Sequence, residues 1–321
     1  MLIRNASHSP LRSESHQPGE SMTLRPITVA QLSSFWSQYV EHRRPQVAPS
    51  TVARDYHRIT QRLKTMKIDA PDLSTGDEVR DYLLTRYSYE TTRRTIQQFQ
   101  AASRWAVFRG WIPSNPFEGV MRYLPKVRAA PKSWASFTIA ERDTIIEAFE
   151  SHDAFYAPWV KFGFWTGARP EETYSLRWKH VASDFSEVRI YEATPIDVGI
   201  TQHTKNYKST RFPCNDRLQK LLQSLRPFPC DRNEFVFHGV ESAQLNYHNF
   251  QTRHWRPMVE GLVEAGQVAF YLPQYNMRHT FITEALKHLD VKDVSYLCRV
   301  SVEVLLKHYA QRNRTISVPE F

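Results

Sequence analysis

Between Thr28 and Phe117 the apolar residues recur at helical spacing in four or five successive segments, and no β-like alternation interrupts them. That periodicity restricts this stretch to a bundle of short helices. Val29, Leu32, Phe35, Trp36 and Tyr39 make the first stripe. Pro49-Ser50-Thr51 opens a second helix carrying Val52, Tyr56, Ile59 and Leu63. Ser74 or Thr75 caps a third, with Val79, Tyr82 and Leu83. A fourth runs from about Tyr89 to Arg109, with Ile96, Phe99, Ala102, Trp105 and Ala106 inward. Gly110-Trp-Ile-Pro-Ser-Asn-Pro-Phe117 is turn chemistry and closes the block.

The outer faces of these helices are basic: Arg54, Arg58, Arg62 and Lys64, then Arg93, Arg94 and Arg104. Each residue alone fits a solvated face, but few acidic partners interleave them, and together they suit a phosphate-binding surface. The net charge of +9 points the same way. Lys126, Arg128 and Lys132, mixed with Pro125 and Pro131, form a basic joint. The expected division is a flexible tail at 1–25, a helical domain at 26–120, a linker at 121–136 and a second domain at 137–321. Thr138 with Glu141 makes a capping box that opens the second domain. That domain reads as mainly helical around a small β-rich interruption. A strand is expected at Val188–Ala193 and a hairpin at about 199–213, followed by helices at about 247–265, 277–289, 291–298 and 301–310.

Composition sets outer limits. Apolar residues at 41% suffice to fill two cores. Cys214, Cys230 and Cys298 are odd in number and widely spaced, which fits reduced, packed thiols better than a zinc or redox pair. No apolar run approaches the roughly 18 residues needed to span a membrane, and Met1–Thr23 lacks the apolar stretch of a signal peptide. A soluble, cytoplasmic protein is expected.

Four separated pieces bear chemistry. In Thr166-Gly-Ala-Arg-Pro-Glu-Glu172, Gly167 permits a sharp turn, Pro170 suits a first helical position, and Arg169 stands at a helix start where an anion can be held. Thr204-Lys-Asn-Tyr-Lys-Ser-Thr-Arg-Phe-Pro213 offers a lysine on a hairpin, able to give a proton to an oxyanion leaving group. Tyr275-Asn-Met-Arg-His-Thr-Phe281 places Arg278 and His279 at the start of a helix. Lys307-His-Tyr309 follows the last helical segment.

In this order and spacing the four pieces resemble the tyrosine recombinase (phage integrase) family. Its pattern is Thr-Gly-x-Arg-x-x-Glu, a hairpin lysine, His-x-x-Arg-His, a His or Trp, and a C-terminal tyrosine. The resemblance covers nearly the whole chain from about residue 28. It implies a helical core-binding domain and an α+β catalytic domain, mainly α with a small antiparallel sheet, closing as a C-shaped clamp on DNA. It also implies double-stranded DNA and a homotetramer on paired sites as partners, with an accessory DNA-bending protein as a further candidate, and no cofactor or metal. Tyr309 falls at the nucleophile position, Arg169 and Arg278 at the phosphate-binding arginines, and Glu172 at a supporting carboxylate. Lys205 takes the place of the general acid, with Lys208 as its competitor and as a DNA-contacting candidate.

Tyr275 stands where histidine is usual, and His279 or His308 is expected to compensate in part. In Leu297-Cys-Arg-Val-Ser301, one register puts Val300 at the His or Trp position and another puts Arg299 there; the apolar spacing of Val294 and Leu297 favours Val300. One lost donor to a transition-state oxyanion costs about 10²–10³ in rate, so slow turnover is expected. The readings carried forward are an integrase serving a mobile element, an impaired DNA-binding relative, and a relaxing enzyme of the type IB topoisomerase kind. Ile316, Val318 and Phe321, beyond Tyr309, suit either docking on a neighbouring protomer or a frayed end.

Overall fold

The structure, a computed structural model, describes residues 27–125, 134–194, 202–203, 209–240 and 244–309. The chain divides into two compact units, Met1–Val127 and Arg128–Phe321.

In the first unit, helix α1 (Val29–Arg43) starts at Thr28, whose hydroxyl accepts from the Gln31 N–H while the Gln31 side chain accepts from the Thr28 N–H. Two end donors are satisfied reciprocally. A wide π-helical turn at Thr51–Tyr56 runs into α2 (His57–Asp69), so the second expected helix does not begin as regular α-helix. Then come α3 (Gly76–Arg86), capped by Thr75 and Glu78, and α4 (Tyr89–Phe108). Trp36 is the centre of this core. Tyr56 and Phe99 meet it edge-on at 5.4 and 6.1 Å, and its indole N–H donates to Thr60 Oγ1 at 3.0 Å. A buried ring of this kind contributes about 1.5–3 kcal/mol by leaving water. Gly76 lies so close to the Pro116 carbonyl that a Cβ would sit 2.2 Å from its oxygen. Val120 also joins this core, which carries the unit past residue 120. Trp105 is only half-buried, with His42 stacked at 5.1 Å and Trp111 edge-on at 4.9 Å, because it lies where the α4 stripe reaches the surface.

The basic face is more paired than its sequence suggests. Glu90 accepts from both Arg93 and Arg94, Arg54 pairs with Asp55, and Arg104 lies 3.6 Å from Glu118. The acidic partners sit one to four positions away on the helix or, for Glu118, in the following turn. Arg62 is half-buried, donating to Thr95 Oγ1 at 3.1 Å with its guanidinium over the Tyr87 ring. Burial lowers its pKa, and part of its work is structural. Arg58 is exposed and carries no ion pair among the described residues. Lys126, Arg128 and Lys132 lie outside the described residues.

The second unit opens with α5 (Ile139–His152), capped by Thr138 and Glu141. Next come α6 (Ala157–Thr166) and the single turn α7 (Pro170–Thr173). Strand β1 (Glu187–Ile190) pairs antiparallel with β4 (Thr210–Pro213), Val188 facing Phe212, and β2 (Glu192–Ala193) pairs with β3 (Gln202–His203). Among the described residues, then, the expected hairpin at 199–213 is not paired within itself: 202–203 and 210–213 each pair with the segment 187–193. Val188, Ile190 and Phe212 are all buried, which fixes the register of β1 on β4. Helix α8 (Asp216–Leu225) follows. The expected helix at 247–265 is three pieces: α9 (Tyr247–Asn249), a π-helical turn at Phe250–Trp255, and α10 (Arg256–Glu264). Helices α11 (Asn276–His288), α12 (Val291–Cys298) and α13 (Val302–His308) complete the unit. Its main core is aromatic, with Phe149, Trp159, Phe162, Phe164, Phe250 and Trp255 fully enclosed. No described helix is long and apolar enough to cross a membrane. All three cysteines are free thiols, two of them buried.

Candidate active site

Helices α6 and α11 lie against each other, with Gly163 facing Met277 so tightly that a Cβ would approach its Sδ to 2.9 Å. At the end of α6, Thr166 Oγ1 donates to the Phe162 carbonyl and accepts from the Ala168 N–H. Gly167 turns the chain with φ +59°, and an added Cβ would meet the Phe281 ring at 2.6 Å. The turn delivers Arg169 to the start of α7 and exposes the Gly167 carbonyl to α11. Arg278 Nη1 takes that carbonyl at 2.6 Å, and its Nη2 donates to the Cys298 carbonyl at the end of α12. One buried arginine thus ties three elements together.

Glu172 is buried and fully engaged. It accepts from the Arg169 N–H at 2.8 Å and Nη1 at 2.9 Å, and from Arg299 Nε and Nη2 at 3.0 and 2.7 Å. Burial pushes its carboxyl up, but the charge and hydrogen bonds of Arg299, with Arg169 and Arg278 behind, outweigh it and hold the pKa at about 2. A depressed carboxylate stabilises the fold above its unfolded pKa, and that contribution is lost as pH falls toward the folded value. Stability is therefore expected to drop between about pH 4.5 and 2 through Glu172. In Glu172→Gln this part of the drop disappears, which acid titration of tryptophan fluorescence would read.

Ser301 caps α13, and Tyr309 closes its C-terminal end, N–H bonded to the Leu305 carbonyl. The ring of Tyr309 packs with Ile282, Ala285, Val294, Cys298 and Leu305, and its hydroxyl lies 2.6 Å from His279 Nδ1. Burial, then Arg278, lowers the His279 pKa to about 4, so the imidazole is neutral at pH 7. With its proton on Nε2, the Nδ1 accepts the phenol hydrogen. Burial raises the Tyr309 pKa, opposed by Arg278 and reinforced by Tyr275. The phenol thus stays protonated at neutral pH unless something removes its hydrogen. Tyr275, half-buried, lies edge-on to His279 at 5.2 Å.

The fold therefore brings Arg169, Glu172, Tyr275, Arg278, His279 and Tyr309 into one locality. Val300 lies beside it in the apolar cluster around Leu305, its carbonyl accepting from Ser295 Oγ. Arg299 has φ +54°, a conformation that glycine adopts without cost. Lys205 and Lys208 lie outside the described residues. The strand that follows them in sequence, β4, is anchored: Thr210 Oγ1 donates to the Tyr296 carbonyl and the Arg211 N–H to the Tyr296 hydroxyl. Among the described residues no cluster of His, Cys, Asp and Glu is arranged to hold a metal.

Trp134 escapes sequence reasoning altogether. It stacks on His308 at 4.3 Å and 6°, meets Tyr309 edge-on at 5.2 Å, and leans on His279 at 4.7 Å. A tryptophan in a proline-punctuated basic joint gives no sign of which ring it will cover.

No protein-family model matches the chain, and neither does any curated protein sequence. Solved structures do match. The integrase of transposon Tn1549, in complex with a circular intermediate DNA, has a TM-score of 0.71 at 16% identity, covering 87% of this chain and 95% of that one. A lambda integrase dimer bound to a COC′ core site gives 0.65 at 12%, covering 91% and 100%. The chain has the tyrosine recombinase fold. A lambda integrase tetramer bound to a Holliday junction matches the same recombinase fold at 0.65 and 12%, covering 92% of this chain and 81% of that one. At such identities the backbone is preserved while most side chains differ, so the side-chain geometry above must carry the chemical argument.

Proposed function

We propose that this chain is a site-specific DNA recombinase that cuts and rejoins strands through a 3′-phosphotyrosine at Tyr309, serving integration or excision of a mobile element. The observation that carries this reading is the Tyr309 hydroxyl held by a neutral His279 beside the charges of Arg278 and Arg169. A scissile phosphate accumulates charge on its non-bridging oxygens as phosphorus becomes pentacoordinate, and guanidinium groups are suited to hold it. The Tyr309 oxygen forms a bond to phosphorus as the bond to the 5′-oxygen breaks. His279 takes the phenol hydrogen, and Lys205 gives a proton to the departing 5′-oxygen. Rejoining runs the same steps backward with a 5′-hydroxyl of a partner strand. The phosphotyrosine retains the bond energy, so the cycle consumes no nucleotide. The integrases of the same fold solved on DNA, one of them as a tetramer on a Holliday junction, support duplex DNA and a tetramer as partners here.

The test is covalent trapping. Nicked duplexes cut from the DNA flanking the coding sequence are incubated with the protein, denatured and resolved, and an attached strand mapping to Tyr309 is expected. Absence of an adduct together with tight, sequence-selective binding would favour the second reading, an impaired DNA-binding relative, for which Val300 in place of a donor speaks.

The helical unit supplies a separate expectation. Arg58→Gln should flatten the dependence of log K on log salt by about 0.9, the slope for one phosphate contact on duplex DNA. Arg62→Gln should instead lower the melting temperature, because it removes a bond to Thr95 and a cover on Tyr87.

A further inference from the structure

We infer that Arg299 is a positioning residue for the proposed strand transfer, fixing the phosphate-binding Arg169 through Glu172 and through its own carbonyl; this rests on the recombinase reading. Two independent observations meet at this residue. First, Arg299 holds φ +54°, a left-handed conformation that a residue with a Cβ adopts only when its surroundings impose it. Second, its guanidinium is consumed inside the protein, its side chain only 4% exposed. Nε and Nη2 bind the two oxygens of Glu172 and Nη1 donates to the Leu297 carbonyl at 2.8 Å, so it is not placed to be a third cation on the phosphate.

Arg169 is gripped from both sides by this pair. Its Nη1 donates to Glu172 Oε1, the oxygen that also receives Arg299 Nε, and its Nη2 donates to the Arg299 carbonyl at 3.0 Å. Arg169 is the more open of the two arginines, 28% exposed at its side chain. The left-handed turn at 299 is what aims that carbonyl at Arg169 while the side chain folds back to Glu172. Because Arg299 lies two residues before the Ser301 cap of α13, the same turn also fixes where the nucleophile's helix begins.

The test separates positioning from folding. Arg299→Gly relieves the backbone but leaves a buried carboxylate short of a cation, so it is expected to lower both the melting temperature and, by about 10–100-fold, the rate of adduct formation on the nicked flanking duplexes. Adding Glu172→Gln removes the carboxylate that Arg169 alone would be left to balance and should recover much of the melting temperature, since breaking a buried ion pair on one side only is the damaging case. The rate should stay low, because Arg169 has lost its anchor. Arg299→Lys, which keeps charge but not the fork, should recover the rate only in part. If the double variant recovers rate together with stability, Arg299 is merely structural and the inference falls. If the wild-type chain forms no adduct on these duplexes, the recombinase reading falls and takes this inference with it.

Discussion

Tyr309→Phe is expected to abolish covalent attachment to DNA altogether, a loss on the order of 10⁴-fold or more, because in the proposed mechanism the bond to phosphorus is made by the Tyr309 oxygen, which phenylalanine lacks. The fold should scarcely notice. The ring keeps its packing against Ile282, Val294 and Leu305, and only the 2.6 Å bond with His279 is removed, worth about 1 kcal/mol. Duplex affinity should also persist, since the arginines remain. Denaturing gels and a binding titration on the same nicked duplexes would show this separation. Residual adduct in Tyr309→Phe would point to another nucleophile. His279→Ala would then be informative from the other side: the hydroxyl remains but its proton acceptor is gone, so cleavage should slow without vanishing.

Arg278→Ala should be the most damaging single change for rate and stability together. Its guanidinium donates to the Gly167 and Cys298 carbonyls, which join the α6 turn and the end of α12 to α11. Removing it leaves both buried acceptors without their donor, at about 1–3 kcal/mol each, and removes a transition-state cation worth about 10²–10³ in rate. Arg278→Lys is expected to rescue poorly, because one ammonium cannot span two carbonyls that a flat fork reaches at once. Calorimetric melting and single-turnover cleavage of the two variants would decide the point. A normal melting temperature in Arg278→Ala would refute the structural half of the argument.

These two variants frame how the candidate site is built. Tyr309, the proposed nucleophile, is a replaceable tip on an apolar cluster, whereas Arg278 is a joint of the framework that also carries charge. The same contrast explains what was readable from the chain. Helix ends at Thr75 and Thr138 are legible because capping is local, a hydroxyl and a carboxylate three residues apart. The stripes around Trp36 and Phe99 were legible because a helical period repeats every few residues. Local rules failed where partners come from afar. The pairing of 202–203 and 210–213 with the segment 187–193 depends on which face of each strand meets the core, which turn-forming residues do not report. The pairing of Arg93 and Arg94 with one Glu90 is hidden from a count of charges, because a single carboxylate serves two cations.

By itself the sequence determined the mainly helical class, the residues able to fill two cores, and the chemical types available at Arg169, Glu172, Arg278, His279 and Tyr309. Periodicity, capping and turn chemistry act over a few residues and need nothing else. Only the tertiary structure decided that His279 holds the Tyr309 hydroxyl, that Trp134 covers the same rings, and that Arg299 turns inward to Glu172. Those three contacts span 30, 175 and 127 positions of chain, and burial decides them. Out of water an unpaired carboxylate or phenol is costly, so each is driven onto whichever partner the packed helices bring within reach.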